Sequence, residues 1–198
     1  MKSTTVSGVF ACVLLVVGSA SADVIDAACY DDGDGAVTMG DWMWSWDGGD
    51  YTAYMDVPEV QHWGPAHIFT QFVTNGPGDD PFAWVTKVVE NDTDFDWTGY
   101  FINVSAVQPF TIEDAASPAG WLNPIITPPV ETDGVWKGVV EYAFGGPGTE
   151  IAIGSTGTFG VEMSFQGTVT FCIDQIPVPE PTSLSLLALG ALALLRRR

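Results

Sequence analysis

Basic residues are scarce in this chain of 198 residues. Lys and Arg together number six against 25 Asp and Glu, and four of the six lie at the extreme ends, as Lys2 and Arg196–Arg198. Between Asp23 and Asp174, only Lys87 and Lys137 oppose 24 carboxylates. Nucleic acids and anionic membrane surfaces are bound by clusters of basic residues, so the composition argues against both as partners. An acidic surface of this kind attracts cations, or it simply keeps an exported protein soluble.

The chain also lacks an apolar run long enough for a stable transmembrane helix, which needs about 20 residues. Residues 1–22 contain a positive charge, an apolar stretch and a small-residue sequence, which are Lys2, Val6–Val17 and Ala20-Ser21-Ala22. This order is typical of a cleavable secretory signal peptide rather than an uncleaved anchor. We therefore expect signal peptidase to recognise Ala20 and Ala22, so that the mature chain begins at Asp23.

Cysteine is sparse, with three residues in all. Cys12 lies within the signal peptide, which leaves Cys29 and Cys172 in the mature chain. Pairs of cysteines in exported proteins are usually oxidised, so we expect a Cys29–Cys172 disulfide. The chain-entropy model assigns about 4–5 kcal/mol to a loop of this length. A pair of free thiols is the alternative, and neither cysteine has the surroundings of a thiol-protease nucleophile.

The C-terminal residues 177–198 form a tail of three parts: a proline-rich segment with Pro179-Glu180-Pro181, an apolar run over 184–195, and Arg196, Arg197 and Arg198. As a helix the apolar run is about 18 Å long, against a bilayer core of roughly 30 Å, so it suits transient membrane contact. The arginines would hold its end on the cytoplasmic side. Because proline interrupts regular strands and helices, we expect the tail to follow a folded domain over 23–176.

This tail resembles the PEP-CTERM sorting signal, which exosortase enzymes recognise in Gram-negative bacteria. The resemblance rests on the Pro179-Glu180-Pro181 triplet, the Leu/Ala/Gly run and the arginine cluster. It implies an exosortase as a processing partner, transient anchoring in the inner membrane, and delivery to the cell surface or extracellular matrix. It also implies a link to exopolysaccharide, which is therefore an expected partner. A plain tail anchor is the alternative.

Between the two ends, few helical patterns occur, and short aromatic and β-branched runs alternate with Gly, Pro, Asn and Asp clusters. These runs predict strands over 42–46, 51–57, 67–73, 82–89, 97–104, 135–144, 151–153, 158–165 and 168–173. Eight or nine strands at this spacing predict an all-β fold, an antiparallel β-sandwich of jelly-roll or immunoglobulin-like type. An N-terminal signal helix and a short C-terminal hydrophobic helix would flank it. The stretch 89–102 also resembles a segment of β-sandwich domains that carry such tails.

An acidic turn is the clearest candidate for ligand binding. Against a calcium loop of EF-hand or dockerin type, Asp32, Asp34 and Asp41 fall at positions 3, 5 and 12, and Gly35 falls at the turn position 6. Calcium is therefore the one cofactor that the sequence suggests. Tyr30 occupies position 1, where Asp is expected, and a strand rather than a helix follows. These departures favour a plain Asp/Gly turn.

Three tryptophans, Trp42, Trp44 and Trp46, are two residues apart and therefore share one face of a strand. An exposed strip of this kind stacks on sugar rings, as in carbohydrate-binding modules. Large aromatic residues on one strand face more often fill a sandwich core. In that arrangement the solvent face would consist of Asp41, Met43, Ser45 and Asp47.

Catalytic patterns are not evident. His62 and His67 lie near Asp56 and Glu59, but their spacing matches no metal motif and the segment contains loop-forming residues. No nucleophile elbow or phosphate-binding loop occurs. We therefore expect an exported protein with no enzymatic activity and a structural or adhesive role. A carbohydrate-binding module, with or without calcium, is the alternative.

Overall fold

The computed structural model describes residues 22–49, 51–76 and 81–180, and these ranges contain twelve strands and no helix. Accordingly, no helix among them is long and apolar enough to cross a membrane. The expected signal helix and the expected C-terminal hydrophobic helix lie outside the described residues.

The strands, in chain order, are β1 Val24–Asp31, β2 Val37–Met39, β3 Met43–Asp47, β4 Thr52–Gln61, β5 Ala66–Thr74, β6 Phe82–Asn91, β7 Trp97–Ala106, β8 Phe110–Ala116, β9 Ile125–Thr132, β10 Val135–Ala143, β11 Thr156–Phe165 and β12 Val169–Pro179.

Two sheets pack face to face as a sandwich. The first sheet has the order β1-β5-β12-β7-β10-β9, and the second has the order β2-β4-β6-β11-β8, with β3 also paired to β4. The all-β sandwich is therefore confirmed. The described pairings are antiparallel except that of β4 with β6, which is parallel. This exception arises because β5, between them in the chain, crosses to the first sheet, so β4 and β6 are not joined by a hairpin.

Four strands were not predicted, namely β1, β2, β8 and β9. The reason is clearest for β9, an edge strand whose side chains are mostly exposed and which contains Pro128 and Pro129. Proline is tolerated at an edge because the missing N–H can face outwards, and exposure removes the apolar alternation. The predicted strand over 151–153 is instead a single bridge between Ile151 and Trp97.

The last strand, β12, continues to Pro179, beyond the expected domain boundary at residue 176. The expectation that prolines end the strand before this point is therefore wrong. Strand β5 pairs with β12 only as far as Gln175, and from there β12 is paired with β7 alone. Pro177 and Pro179 lie in this one-sided part, where a missing N–H need not break a ladder. The proline-rich segment thus begins inside the sandwich.

Aromatic side chains from both sheets meet around Phe159 on β11. Its ring stacks on Tyr100 of β7 at a centroid distance of 4.3 Å and meets Tyr142 of β10 edge-on at 5.1 Å. Trp121 lies edge-on at 5.8 Å. Phe159 and Tyr100 are fully buried. Because β11 belongs to one sheet and β7 and β10 to the other, this cluster holds the two sheets together.

The interior also contains a buried ion pair. Lys87 Nζ on β6 donates to Glu59 Oε2 on β4 at 2.8 Å, and the two side chains are 1% and 0% exposed. Buried charges are costly unless they are paired and hydrogen-bonded. The surrounding polar side chains Gln61, Tyr100 and Gln175 are also buried. One layer between the sheets is therefore polar, although most of the core is apolar.

We expect Phe159→Ala to lower the free energy of unfolding by about 3–5 kcal/mol, because it leaves a cavity among three aromatic rings. Urea unfolding followed by tryptophan fluorescence would measure the loss. Val107→Ala is the control, since Val107 is 76% exposed and its truncation leaves no cavity. Similar stability of the two variants would contradict the central role of Phe159.

Candidate functional site

The acidic turn between β1 and β2 is ordered by its own carboxylates. Asp31 Oδ1 accepts from Gly33 N at 2.9 Å, Asp32 Oδ1 from Asp34 N at 3.1 Å, and Asp34 Oδ1 from Ala36 N at 2.7 Å. Gly33 and Gly35 have φ of 75° and 83°, which favours glycine. Each aspartate therefore uses one oxygen to shape the turn and keeps the other oxygen for a further contact.

His67 on β5 lies beside this turn. Its Nδ1 is 3.3 Å from Asp32 Oδ2, and its Nε2 is 3.5 Å from Asp174 Oδ1 on β12. The Nδ1 atom is itself buried and has no hydrogen-bond partner of good geometry among the described residues, so the contact with Asp32 is one of proximity. The strand order β1-β5-β12 explains this grouping, because it places the end of β1 and Asp174 on either side of His67.

Asp32, Asp34 and His67 form a candidate metal site, because one ligand atom from each lies within 4.8 Å of the others. Asp41, the third ligand expected from the calcium-loop spacing, is not part of this group. Calcium prefers oxygen ligands alone, whereas a nitrogen from imidazole with carboxylates suits zinc and related ions. The donor set therefore fits a transition metal better than calcium.

A groove continues from His67 across the outer face of the first sheet. Its lining includes polar side chains from four neighbouring strands, namely His67, Asn103, Ser105, Lys137, Cys172 and Asp174. Lys137 is one of the two lysines between the chain ends. The groove therefore presents both a cationic side chain, Lys137, and an anionic one, Asp174.

Cys29 and Cys172 are both free thiols, so the expected disulfide is wrong. They lie on β1 and β12, which flank β5 on opposite sides, and two strand spacings amount to about 9–10 Å. A disulfide requires a Cα–Cα separation below about 7 Å. Cys29 also faces the core, whereas Cys172 faces the groove. Burial raises the pKa of Cys29 to about 12 and, together with the Asp174 carboxylate, raises that of Cys172 to about 11.

The two histidines do not form one site with Asp56 and Glu59. His62 lies 2.7 Å from Asp92 Oδ2 through Nδ1, and 2.9 Å from Thr38 Oγ1 through Nε2. His67 belongs to the groove, while Glu59 is buried against Lys87. Sequence proximity was misleading here, because β4 and β5 are in different sheets.

Trp42, Trp44 and Trp46 are half-buried and pack against the core. Met43, Ser45 and Asp47 face outwards on β3, in agreement with the alternation of the sequence. The three tryptophans therefore contribute to packing and do not form an exposed strip.

A different aromatic pair lies on the outer face of the second sheet. Tyr54 on β4 and Trp84 on β6 are register partners, and Glu162 on β11 is the partner of Trp84 on its other side. Trp84 covers Gly160, where an added Cβ would lie 2.6 Å from Trp84 Cζ2. Sequence reasoning missed this pair because its members are thirty residues apart. The available signal was the alternation along β6. Trp84 lies between Ala83 and Val85, which are buried, so its side chain is expected on the opposite, outer face.

The processing residues are only partly described. Ala22 is buried and Asp23 N donates to Asn75 Oδ1 at 3.1 Å, which fixes the start of the domain. Pro179 ends β12 and Glu180 follows it. The remaining residues predicted for processing lie outside the described ranges, namely Ala20, Pro181, Arg196, Arg197 and Arg198.

We expect Zn²⁺ to raise the melting temperature of the chelator-treated protein more than Ca²⁺ does, because an ion that binds only the native state stabilises it. His67→Ala should abolish the zinc-dependent rise. His62→Ala is the matched control, since His62 contacts Asp92 and Thr38 instead. An unchanged zinc response in His67→Ala, or an equal response to calcium, would contradict the assignment.

Comparison with known proteins gives one finding. Residues 177–198 match the family model described as the PEP-CTERM protein-sorting motif. Searches of curated proteins and of solved structures returned no match. The match confirms the resemblance of the tail, and it covers the tail alone. The chain therefore carries a PEP-CTERM sorting motif whose first residues belong to β12, the last of the described strands, and this motif indicates an exported exosortase substrate sorted to the cell surface or beyond.

Proposed function

We propose that the sandwich is a structural or adhesive component of the extracellular matrix, without enzymatic activity. The observation that carries the proposal is the continuity between β12 and the sorting motif, since the motif match begins at Pro177 and β12 ends at Pro179. With no linker between them, the sandwich is the part of the chain that sorting delivers. The apolar run of the tail would hold it transiently in the inner membrane before an exosortase acts.

The charge of the domain is consistent with a role in a matrix. Most of the carboxylates among the described residues face solvent, including Asp32 and Asp34 in the acidic turn and Asp92 and Asp94 after β6. An acidic surface repels other acidic polymers unless cations lie between them. Divalent cations would therefore bridge the domain to an acidic exopolysaccharide, which makes its association with the matrix sensitive to chelators.

We expect the protein recovered from its native host to begin at Asp23 and to lack the apolar run of the tail. Intact mass measured after denaturation would test both processing events. The protein should fractionate with extracellular material, and a chain truncated after Glu180 should be lost from that fraction. A mass that still includes residues 184–198 would contradict exosortase processing and favour a plain tail anchor.

A second candidate function is glycan binding at the outer face of the second sheet, where Trp84 and Tyr54 adjoin. Trp84 Nε1 donates to Thr86 Oγ1 at 3.2 Å, and the close contact with Gly160 further restricts the ring. Tyr54 is 38% exposed, and Asp56 follows it on the same face of β4. A fixed aromatic surface beside carboxylates is suited to a sugar ring, which offers an apolar face and a rim of hydroxyl donors.

We expect Trp84→Ala to weaken binding to the host's exopolysaccharide by about tenfold or more, which corresponds to about 1.4 kcal/mol. Affinity electrophoresis in gels containing the polysaccharide would measure the change. Trp63→Ala is the matched control, since Trp63 is 51% exposed and lies in the turn between β4 and β5. Equal mobility of wild type and Trp84→Ala would argue against this surface while leaving the structural role intact.

A further inference from the structure

Three buried side chains with complementary reactivity meet between the sheets. Lys87 Nζ on β6 donates to Glu59 Oε2 at 2.8 Å, and Gln175 Nε2 on β12 donates to the same oxygen at 3.3 Å. The Lys87 amine and the Gln175 carboxamide therefore both donate to the same carboxylate oxygen. Glu59 and Lys87 belong to the second sheet and Gln175 to the first, so the group spans the interior of the sandwich.

The carbonyl of Gln175 is held by a proton donor on its other side. Tyr100 Oη lies 2.7 Å from Gln175 Oε1 and 2.5 Å from Gln61 Oε1. The Tyr100 hydroxyl has a single proton, so it can donate to only one of these carbonyl oxygens at a time. Burial, with smaller contributions from Glu59 and Tyr142, raises the pKa of Tyr100 well above its usual value, so the hydroxyl remains a donor. A donor aimed at a carbonyl oxygen stabilises the charge that develops there when a nucleophile attacks.

The ion pair is incompletely satisfied as it stands. Glu59 Oε1 is buried and has no hydrogen-bond partner among the described residues. The hydrogen bond of Lys87 Nζ within those residues goes to Glu59 Oε2. In a site shielded from water, two charges are costly, and transfer of a proton from Nζ to the carboxylate yields a neutral amine and a neutral acid. A neutral lysine amine is a nucleophile, and a neighbouring acid can donate a proton to a leaving group.

We propose that Lys87 and Gln175 form an intramolecular isopeptide bond with Glu59 as proton shuttle. Glu59 takes a proton from Nζ, and the Nζ lone pair attacks Gln175 Cδ while Tyr100 donates to Oε1. The Nζ–Cδ bond forms, a second proton passes from Nζ through Glu59 to Nε2, and the Cδ–Nε2 bond breaks. Ammonia leaves, and no oxidant or further reactant is needed.

The product removes the cost that the unlinked site carries. The amide is neutral, Glu59 is left as a neutral acid, and neither buried charge remains. The bond also joins β6 of one sheet covalently to β12 of the other. A sandwich held only by hydrogen bonds and packing has no such cross-link. This inference is independent of the proposed function, since it concerns the interior and not the outer faces.

Intact mass of the purified full chain, measured under denaturing conditions, tests the bond. We expect a mass lower than the calculated one by a single ammonia. Cleavage after glutamate places Lys87 in the peptide 60–90 and Gln175 in the peptide that begins at residue 163, after Glu162. These peptides should be recovered as one joined species. Succinimide formation at Asn75-Gly76 also releases ammonia but leaves the two peptides separate, so that outcome would overturn the proposal.

Two variants and a control complete the test. Lys87→Met removes the nucleophile, and Glu59→Gln keeps the size of the side chain while removing the proton acceptor. In both, the ammonia loss and the joined peptide should disappear. Lys137→Met, at an exposed position on β10, should retain both. A wild-type protein with the full calculated mass and separate peptides would overturn the proposal. A mass lower by one water, with Lys87 linked to Glu59, would also overturn it, because it would indicate a direct Lys87–Glu59 amide.

Discussion

The buried pair of Glu59 and Lys87 constrains the arrangement of both sheets. A charge in the interior costs several kcal/mol unless its partner is held in good geometry, so the two strands must keep the register that places both residues on one inward face. Lys87 is the register partner of Val57, two residues from Glu59 on the same face. A slip of one residue would bury Val88 and expose Lys87. Gln175 of the opposite sheet donates to Glu59, and Tyr100 of that sheet donates to Gln175, so the pair also influences how the sheets align.

The outer faces are free of this constraint, and they carry the features that suggest binding. On the first sheet, the turn after β1 brings Asp32 to His67, and the groove beside it extends to Lys137. On the second sheet, Gly160 leaves room for the ring of Trp84, because a Cβ at that position would collide with it. The two faces therefore differ in chemistry: one presents ionic groups and the other aromatic groups.

Local pattern was sufficient for most strands and for the direction of many side chains. Trp44 and Trp46 point inwards as their alternation predicts. Lys87 lies on the same face of β6 as the buried residues Ala83, Val85 and Val89, so its burial could have been predicted. Sequence could not reveal which strands are neighbours. The sequence favoured a disulfide between Cys29 and Cys172, but β5 lies between their strands and keeps them apart. The same strand order brings His67 close to Asp32 and Asp174. Edge strand β9 escaped prediction because exposure and prolines erase the alternation on which such predictions depend.

The position of β12 has a consequence for how the protein is made. It is the last of the described strands in sequence, yet in the first sheet it lies between β5 and β7. Those strands cannot complete their backbone hydrogen bonds until β12 joins them, and pairings between distant parts of a chain form slowly. The first sheet therefore cannot close until nearly all of the described chain has been synthesised. Closure of the sheet requires residues that adjoin the sorting motif, so a truncated chain would expose two unpaired strands to proteases. The first sheet thus closes only in a chain that already contains the residues of β12.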